Sequence, residues 1–163
     1  MFAEGTLVMY GSEGVCRVVR VGESPFDSAP AGRLYYTLEP LFSSGTIFAP
    51  LDVPVIIRPL MTRQEADELI DSIKHMDTPE SVSREPKSAE SLYRRYMSGY
   101  EPASLLALIR CIHHKNEGSR KPYNQTDERY FRRAQALLYG ELSVVLGIPM
   151  EEVEDYIRAR VES

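Results

Sequence analysis

The chain has 163 residues, 43% of them hydrophobic and 26% charged, ordinary values for one medium globular domain or two small ones. A net charge of −5 argues against a protein that coats nucleic acid indiscriminately, and no stretch approaches the run of about 20 apolar residues that a membrane helix needs. The opening MFAEGTLVMYGSEG has no basic segment ahead of an apolar core, and Cys16 and Cys111 form no CxxC pair, so a cytoplasmic protein with reduced thiols is expected.

Residues 1–60 alternate short runs rich in Val, Ile, Tyr and Thr with Gly and Pro. The runs Thr6–Tyr10, Val15–Val21, Leu34–Leu38, Thr46–Ala49 and Val55–Arg58 are expected to be five strands of a small antiparallel barrel or curled sheet. Between the first two stands Gly11-Ser12-Glu13-Gly14. A phosphate-binding glycine loop leads into a helix whose first N–H groups point at the anion. Here strand leads to strand and no Lys-Ser or Lys-Thr follows, so the loop is expected to be a tight corner. Gly22–Gly32, with two prolines and no apolar period, reads as an exposed connection.

From residue 61 the period becomes helical. Thr62-Arg63-Gln64-Glu65 is a capping box, and the helix it opens should bury Ala66, Leu69, Ile70 and Ile73 before stopping near Asp77-Thr78-Pro79. Thr78–Ser88 reads as a linker or a frayed helix start, and Ser88–Met97 as a second helix. Pro102 opens a third, with Leu105, Leu108, Ile109 and Ile112 on one face and Gly118 at its end. Asn124 or Thr126 caps a fourth, whose Tyr130, Ala134, Leu137, Leu138, Leu142 and Val145 recur every three or four residues. Gly147 closes it, and Pro149 starts a fifth with Val153, Tyr156 and Ile157 inward. The expected architecture is α+β: a small antiparallel Tudor/SH3-like barrel over 1–60 and an all-α domain of about five helices over 61–163.

Charge is unevenly spread. Residues 84–133 hold 11 basic and 6 acidic side chains, a net +5 between acidic flanks. Such a middle suits one face that meets an anion, and equally a solvated helical surface. No catalytic constellation emerges. His113 and His114 are adjacent, hence about 100° apart on a helix and unsuited to one metal, while His75 stands alone. Cys16 and Cys111 lack a neighbouring histidine in any nucleophile pattern and read as small core residues. Glu65, Asp67, Glu68 and Asp71 serve the helix dipole. The chain is therefore expected not to be an enzyme, and to need no metal, cofactor or small-molecule substrate.

A set of motifs runs in order along nearly the whole chain. They are Gly5-Thr6-Leu7-Val8-Met9-Tyr10, Gly11-Ser12-Glu13 and Gly14-Val15-Cys16-Arg17-Val18, then Leu34-Tyr35-Tyr36-Thr37-Leu38 and Gly45–Asp52 (GTIFAPLD). The helical half adds Met97-Ser98-Gly99, Leu105–Ile112, Thr126-Asp127-Glu128-Arg129-Tyr130 and Ala134–Gly147 (AQALLYGELSVVLG). In this order and spacing the chain resembles the CarD/CdnL family of bacterial transcription regulators.

The resemblance implies a Tudor-like barrel that docks on the β subunit of RNA polymerase through an exposed sheet edge, which here would include Thr46, Ile47 and Phe48. Burial of Phe48 in the barrel or against the helices is the competing reading. It further implies that the helical half lies against promoter DNA at the upstream edge of the melted region, where basic residues hold phosphates and a tryptophan wedges at the fork. This chain has no tryptophan, and Val82 is the only sizeable apolar side chain of the corresponding stretch Thr78–Ser88. Arg84, Lys87, Arg94 and Arg95 are the expected DNA contacts, with Lys115, Arg120 and Lys121 as second candidates; for Arg94 and Arg95 a plain surface helix face is the alternative. The expected function is thus a regulator that modulates open-complex formation. Its rivals are a polymerase- or protein-binding adaptor without DNA contact, and an enzyme using the cysteines or histidines.

Overall fold

The structure, a computed structural model, describes residues 1–24, 26, 31–52 and 56–163. The chain forms two units, Met1–Leu60 and Met61–Ser163.

The first unit is a five-stranded antiparallel sheet of β1 (Leu7–Tyr10), β2 (Gly14–Glu23), β3 (Leu34–Pro40), β4 (Ile47–Pro50) and β5 (Ile57–Pro59), in the order β4-β3-β2-β1-β5. Cross-strand partners share a face, so the pairs Val8 with Cys16, Val18 with Leu38 and Tyr36 with Ala49 bring one apolar set together. These six residues form the core of the sheet. The pairing of β2 with β3 shifts between Val18 and Arg20. Val19 is the extra residue of this bulge, which is why Val18 and Val21 both turn towards the core despite their odd separation. Tyr36 adds a polar tie, its hydroxyl accepting the Phe2 N–H at 2.9 Å.

The corner between β1 and β2 is a single 3-10 turn, Gly11–Glu13, entered and left by glycines at φ 40° and 79°. Gly14 combines that φ with ψ −144°, a region only glycine occupies without strain. The five expected antiparallel strands form, but the sheet of the described residues does not close into a barrel and has β4 and β5 as its two outermost strands. Both are short, and each contains a proline that cannot donate to a ladder. Thr46 lies just outside β4. Of the expected strand Val55–Arg58, Val55 falls outside the described residues, as do several residues of the Gly22–Gly32 connection.

The second unit is α1 (Arg63–Ser72), α2 (Pro86–Met97), α3 (Pro102–Lys115), α4 (Gln125–Leu146) and α5 (Met150–Glu162). Both bonds of the Thr62–Glu65 capping box form, at 3.0 and 3.1 Å. Asn124, not Thr126, caps α4, its side chain accepting the Asp127 N–H at 2.8 Å. The second helix starts two residues earlier than expected because Pro86 takes its first position, where a missing N–H costs nothing. Pro149 caps α5 rather than entering it. Gly147 ends α4 in the left-handed conformation, φ 69°.

Leu105, Leu108 and Ile112 of α3, Ala134, Leu138 and Leu142 of α4, Ile70 of α1, Tyr93 of α2 and Val153 of α5 meet in one core. Polar ties lock its rim. Arg160 grips Asp71 with two bonds of 2.6 and 2.9 Å, and the Tyr156 hydroxyl donates to Asp67 at 2.8 Å, fixing α5 to α1. Inside, the fully buried Glu141 accepts the Met61 N–H at 2.7 Å.

Candidate functional site

Two surfaces carry the residues singled out in the sequence. The first is the β4 edge. Leu51 N–H bonds to Leu34 C=O at 3.0 Å, one step beyond the β3–β4 register. Antiparallel pairs alternate between bonded and non-bonded. Tyr36–Ala49 and Leu38–Ile47 are therefore the bonded pairs, while Phe48 and Pro50 turn their backbone groups away from β3. Among the described residues, no strand pairs with this side of β4, which presents the N–H and C=O of Phe48 and the C=O of Pro50, beside the exposed Thr46.

The side chains of this edge divide. Ile47 pairs with Leu38 and packs, half-buried, against the sheet core. Its packing against the core fixes the placement of its neighbour Phe48. Phe48 points to the opposite face, where Phe26 meets it edge-on with ring centres 5.0 Å apart. Phe26 is more than half exposed, as is Phe42 beyond β3. The Phe26–Phe48 pair escaped the sequence reading because its partners lie 22 residues apart across a loop with no apolar period.

The second surface is basic and lies on α2 and α4. Arg84 is exposed just before α2, and Lys87 is exposed on it. Arg94 is also exposed, yet it bonds Glu90 at 3.2 Å, and Arg95 approaches Glu80 at 3.9 Å. Glu90 also receives Arg129 at 2.8 Å and the Tyr130 hydroxyl at 3.0 Å. These partners hold its carboxyl below the usual range, the Tyr130 bond contributing most. Two arginines thus share one carboxylate, leaving net positive charge at the α2–α4 seam. Arg133 lies one turn along from Arg129 on the same stripe of α4 and is exposed. Arg129 and Arg133 were not among the residues singled out for this surface; their four-residue spacing beside Tyr130 was the available signal.

Lys115 does not belong to this surface. Its side chain is 6% exposed and its ammonium is bonded to Asp127, itself 1% exposed, so its charge is already engaged inside the helical unit. The sequence reading failed because a lysine at a helix end is ordinarily solvated. Arg120 and Lys121 are exposed in the connection to α4. The stretch Thr78–Ser88 is not a free linker. Val82 and Met76 pack on the helical core, the Tyr96 hydroxyl donates to Glu80 at 2.8 Å, and Arg110 donates to the Asp77 carbonyl at 3.3 Å.

Cys16 and Cys111 are buried, in separate units. Burial pushes the Cys16 thiol up to about 11, with Glu13 adding to the shift. His75, His113 and His114 are exposed, and His114 Nδ1 lies 3.1 Å from Glu117. Among the described residues no group of three or more His, Cys, Asp or Glu side chains is arranged to hold a metal, and no helix is long and apolar enough to cross a membrane. Comparison of the chain with protein-family models and with curated proteins returns no match.

Proposed function

We propose that this chain is a non-enzymatic transcription regulator of the CarD/CdnL type. Its sheet acts as a Tudor-like module that docks on the β subunit of bacterial RNA polymerase, and its helical unit contacts promoter DNA and biases the closed–open equilibrium. The observation that carries this reading is the β4 edge, whose outward Phe48 backbone groups suit the addition of a partner strand. Pro50 limits that strand to a short register, and the Phe26–Phe48 rings offer an apolar seat beside it. For DNA, Arg84, Lys87, Arg94, Arg129 and Arg133 supply phosphate contacts without base reading. Val82 is tucked against the core, so the helical unit acts through phosphates rather than by an apolar wedge.

A second reading keeps the polymerase dock and drops DNA, giving an adaptor. It is favoured by the engagement of Arg94 with Glu90, Arg95 with Glu80 and Lys115 with Asp127.

Phe48→Pro tests the dock, because it deletes the outward N–H while leaving the Ile47 and Ala49 ladder to β3 intact. Purified β-subunit lobe is expected to bind wild type and to lose the variant, with circular dichroism reporting that the variant folds. Failure of wild type to bind the lobe would overturn the polymerase reading. Fluorescence anisotropy with a forked promoter duplex separates the regulator from the adaptor.

A further inference from the structure

An open groove of roughly 840 Å³ runs along α4 in the helical unit, on a face turned about 100° around the helix from Arg129 and Arg133. Its floor is aromatic. Phe131 and Tyr139 lie on one stripe of α4, and Tyr123 meets Phe131 edge-on at 5.3 Å. From Glu128 to Tyr139 the groove spans about 16 Å of helix.

Its charges are polarised along that length. At the end near the start of α4 stands Lys121, next to the exposed Arg120, while Arg132 and Glu128 bond one another and cancel. At the other end the first turns of α5 bring Glu151 and Glu154, followed by the exposed Asp155. Arg158 answers Glu154 at 3.3 Å and Asp155 at 3.7 Å, which leaves Glu151 uncompensated among the described residues.

A surface that is basic at one end, acidic at the other and aromatic between is complementary to itself after a half-turn. A two-fold axis near Gln135, the residue midway along the stripe, sets the basic end of one copy on the acidic end of the next and brings the aromatic rows together. We propose that this groove is the interface of an antiparallel, two-fold homodimer of the chain, held by Lys121 against Glu151 of the second copy at both ends. The basic α2–α4 seam stays uncovered in such a dimer, since it occupies a different face of α4.

Sedimentation velocity on the full chain tests this, from about 1 to about 200 µM at low salt. The mass is expected to rise from 18.5 kDa towards twice that value with concentration. Lys121→Glu alone and Glu151→Lys alone each place like charges at both ends and should weaken association by about tenfold or more. An equimolar mixture of the two single variants pairs Glu with Lys at both ends and should restore the dimer. Both positions are exposed, so folding is not at stake, and Phe131→Arg adds a check on the aromatic row. A chain that stays at 18.5 kDa throughout would overturn the proposal, as would a dimer indifferent to these charges or single variants that fail to rescue one another.

Discussion

The Lys115 ammonium lies 3.1 Å from each carboxylate oxygen of Asp127. The same carboxylate accepts the Tyr93 hydroxyl at 2.7 Å and the Asn116 amide at 3.2 Å. Three helices therefore converge on one buried anion: α2 through Tyr93, α3 through Lys115 and the adjoining Asn116, and α4 through Asp127 itself. Such a pair is worth little against an apolar replacement of both partners, but removing one partner strands the other. Lys115→Met is expected to destabilise the chain by about 3–5 kcal/mol, and Tyr93→Phe by about 1.5–3 kcal/mol. Urea unfolding measures both, and losses below about 1 kcal/mol would show that Asp127 finds water instead.

Acid should loosen the junction of α1 and α5. The bonds from Arg160, above all, hold the Asp71 carboxyl below its ordinary value of 3.8. A carboxyl depressed on folding stabilises the fold above its unfolded value and loses that contribution as the pH falls through the folded one. The difference in urea midpoint between wild type and Arg160→Met should then be constant at neutral pH and shrink below about pH 3.8. A difference that grows on acidification would contradict the assignment.

Both thiols should be inert while the chain is folded. Burial raises Cys16 to about 11 and raises Cys111 as well, so little thiolate exists near neutral pH. Reaction with a chromogenic disulfide is expected to be slow in buffer and to reach both cysteines in denaturant. Rapid native labelling of either would reopen a redox or nucleophilic role.

Phosphate contact makes a separate forecast. Replacing a lysine or arginine that holds a phosphate lowers DNA affinity for all sequences alike and reduces the slope of log K against log salt by about 0.9. Arg129→Ala and Arg133→Ala are expected to behave this way in anisotropy titrations. Arg95→Ala is expected to behave likewise, since the side chain comes no nearer to Glu80 than 3.9 Å and stays largely exposed. Unchanged slopes in both α4 variants would favour the adaptor.

Elements set by local chemistry were legible in the sequence. The Thr62 box, the Gly11–Gly14 corner and the Gly147 stop each depend on residues within one turn of one another, and each forms where it was expected. Helix faces were legible for the same reason, as Leu105, Leu108 and Ile112 illustrate. What the sequence hid depends on partners distant along the chain. Lys115 reads as a solvated base until Asp127 is found beside it, and Val82 as an apolar side chain in a linker until it packs on the helices. The openness of the sheet was hidden too, because alternation sets a strand's faces but not whether its outermost members meet. Ile47 and Phe48 lie on an outermost strand with Thr46 just outside it, yet which of them turns its backbone outward followed only from the Leu51–Leu34 bond.

Both sheet edges share a feature. Gly11 N–H bonds to Ile56 C=O, so on β5, by the same alternation, Pro59 faces away from β1 just as Pro50 faces away from β3. Among the described residues, each outward row therefore lacks a donor at its proline, two residues from the outward Phe48 or Ile57. A strand added at either edge would meet that proline within a few residues, which opposes extended edge-to-edge pairing. A proline in each outward row works against edge-to-edge propagation, and at high expression the chain should aggregate less than one whose edges of the same length are unbroken.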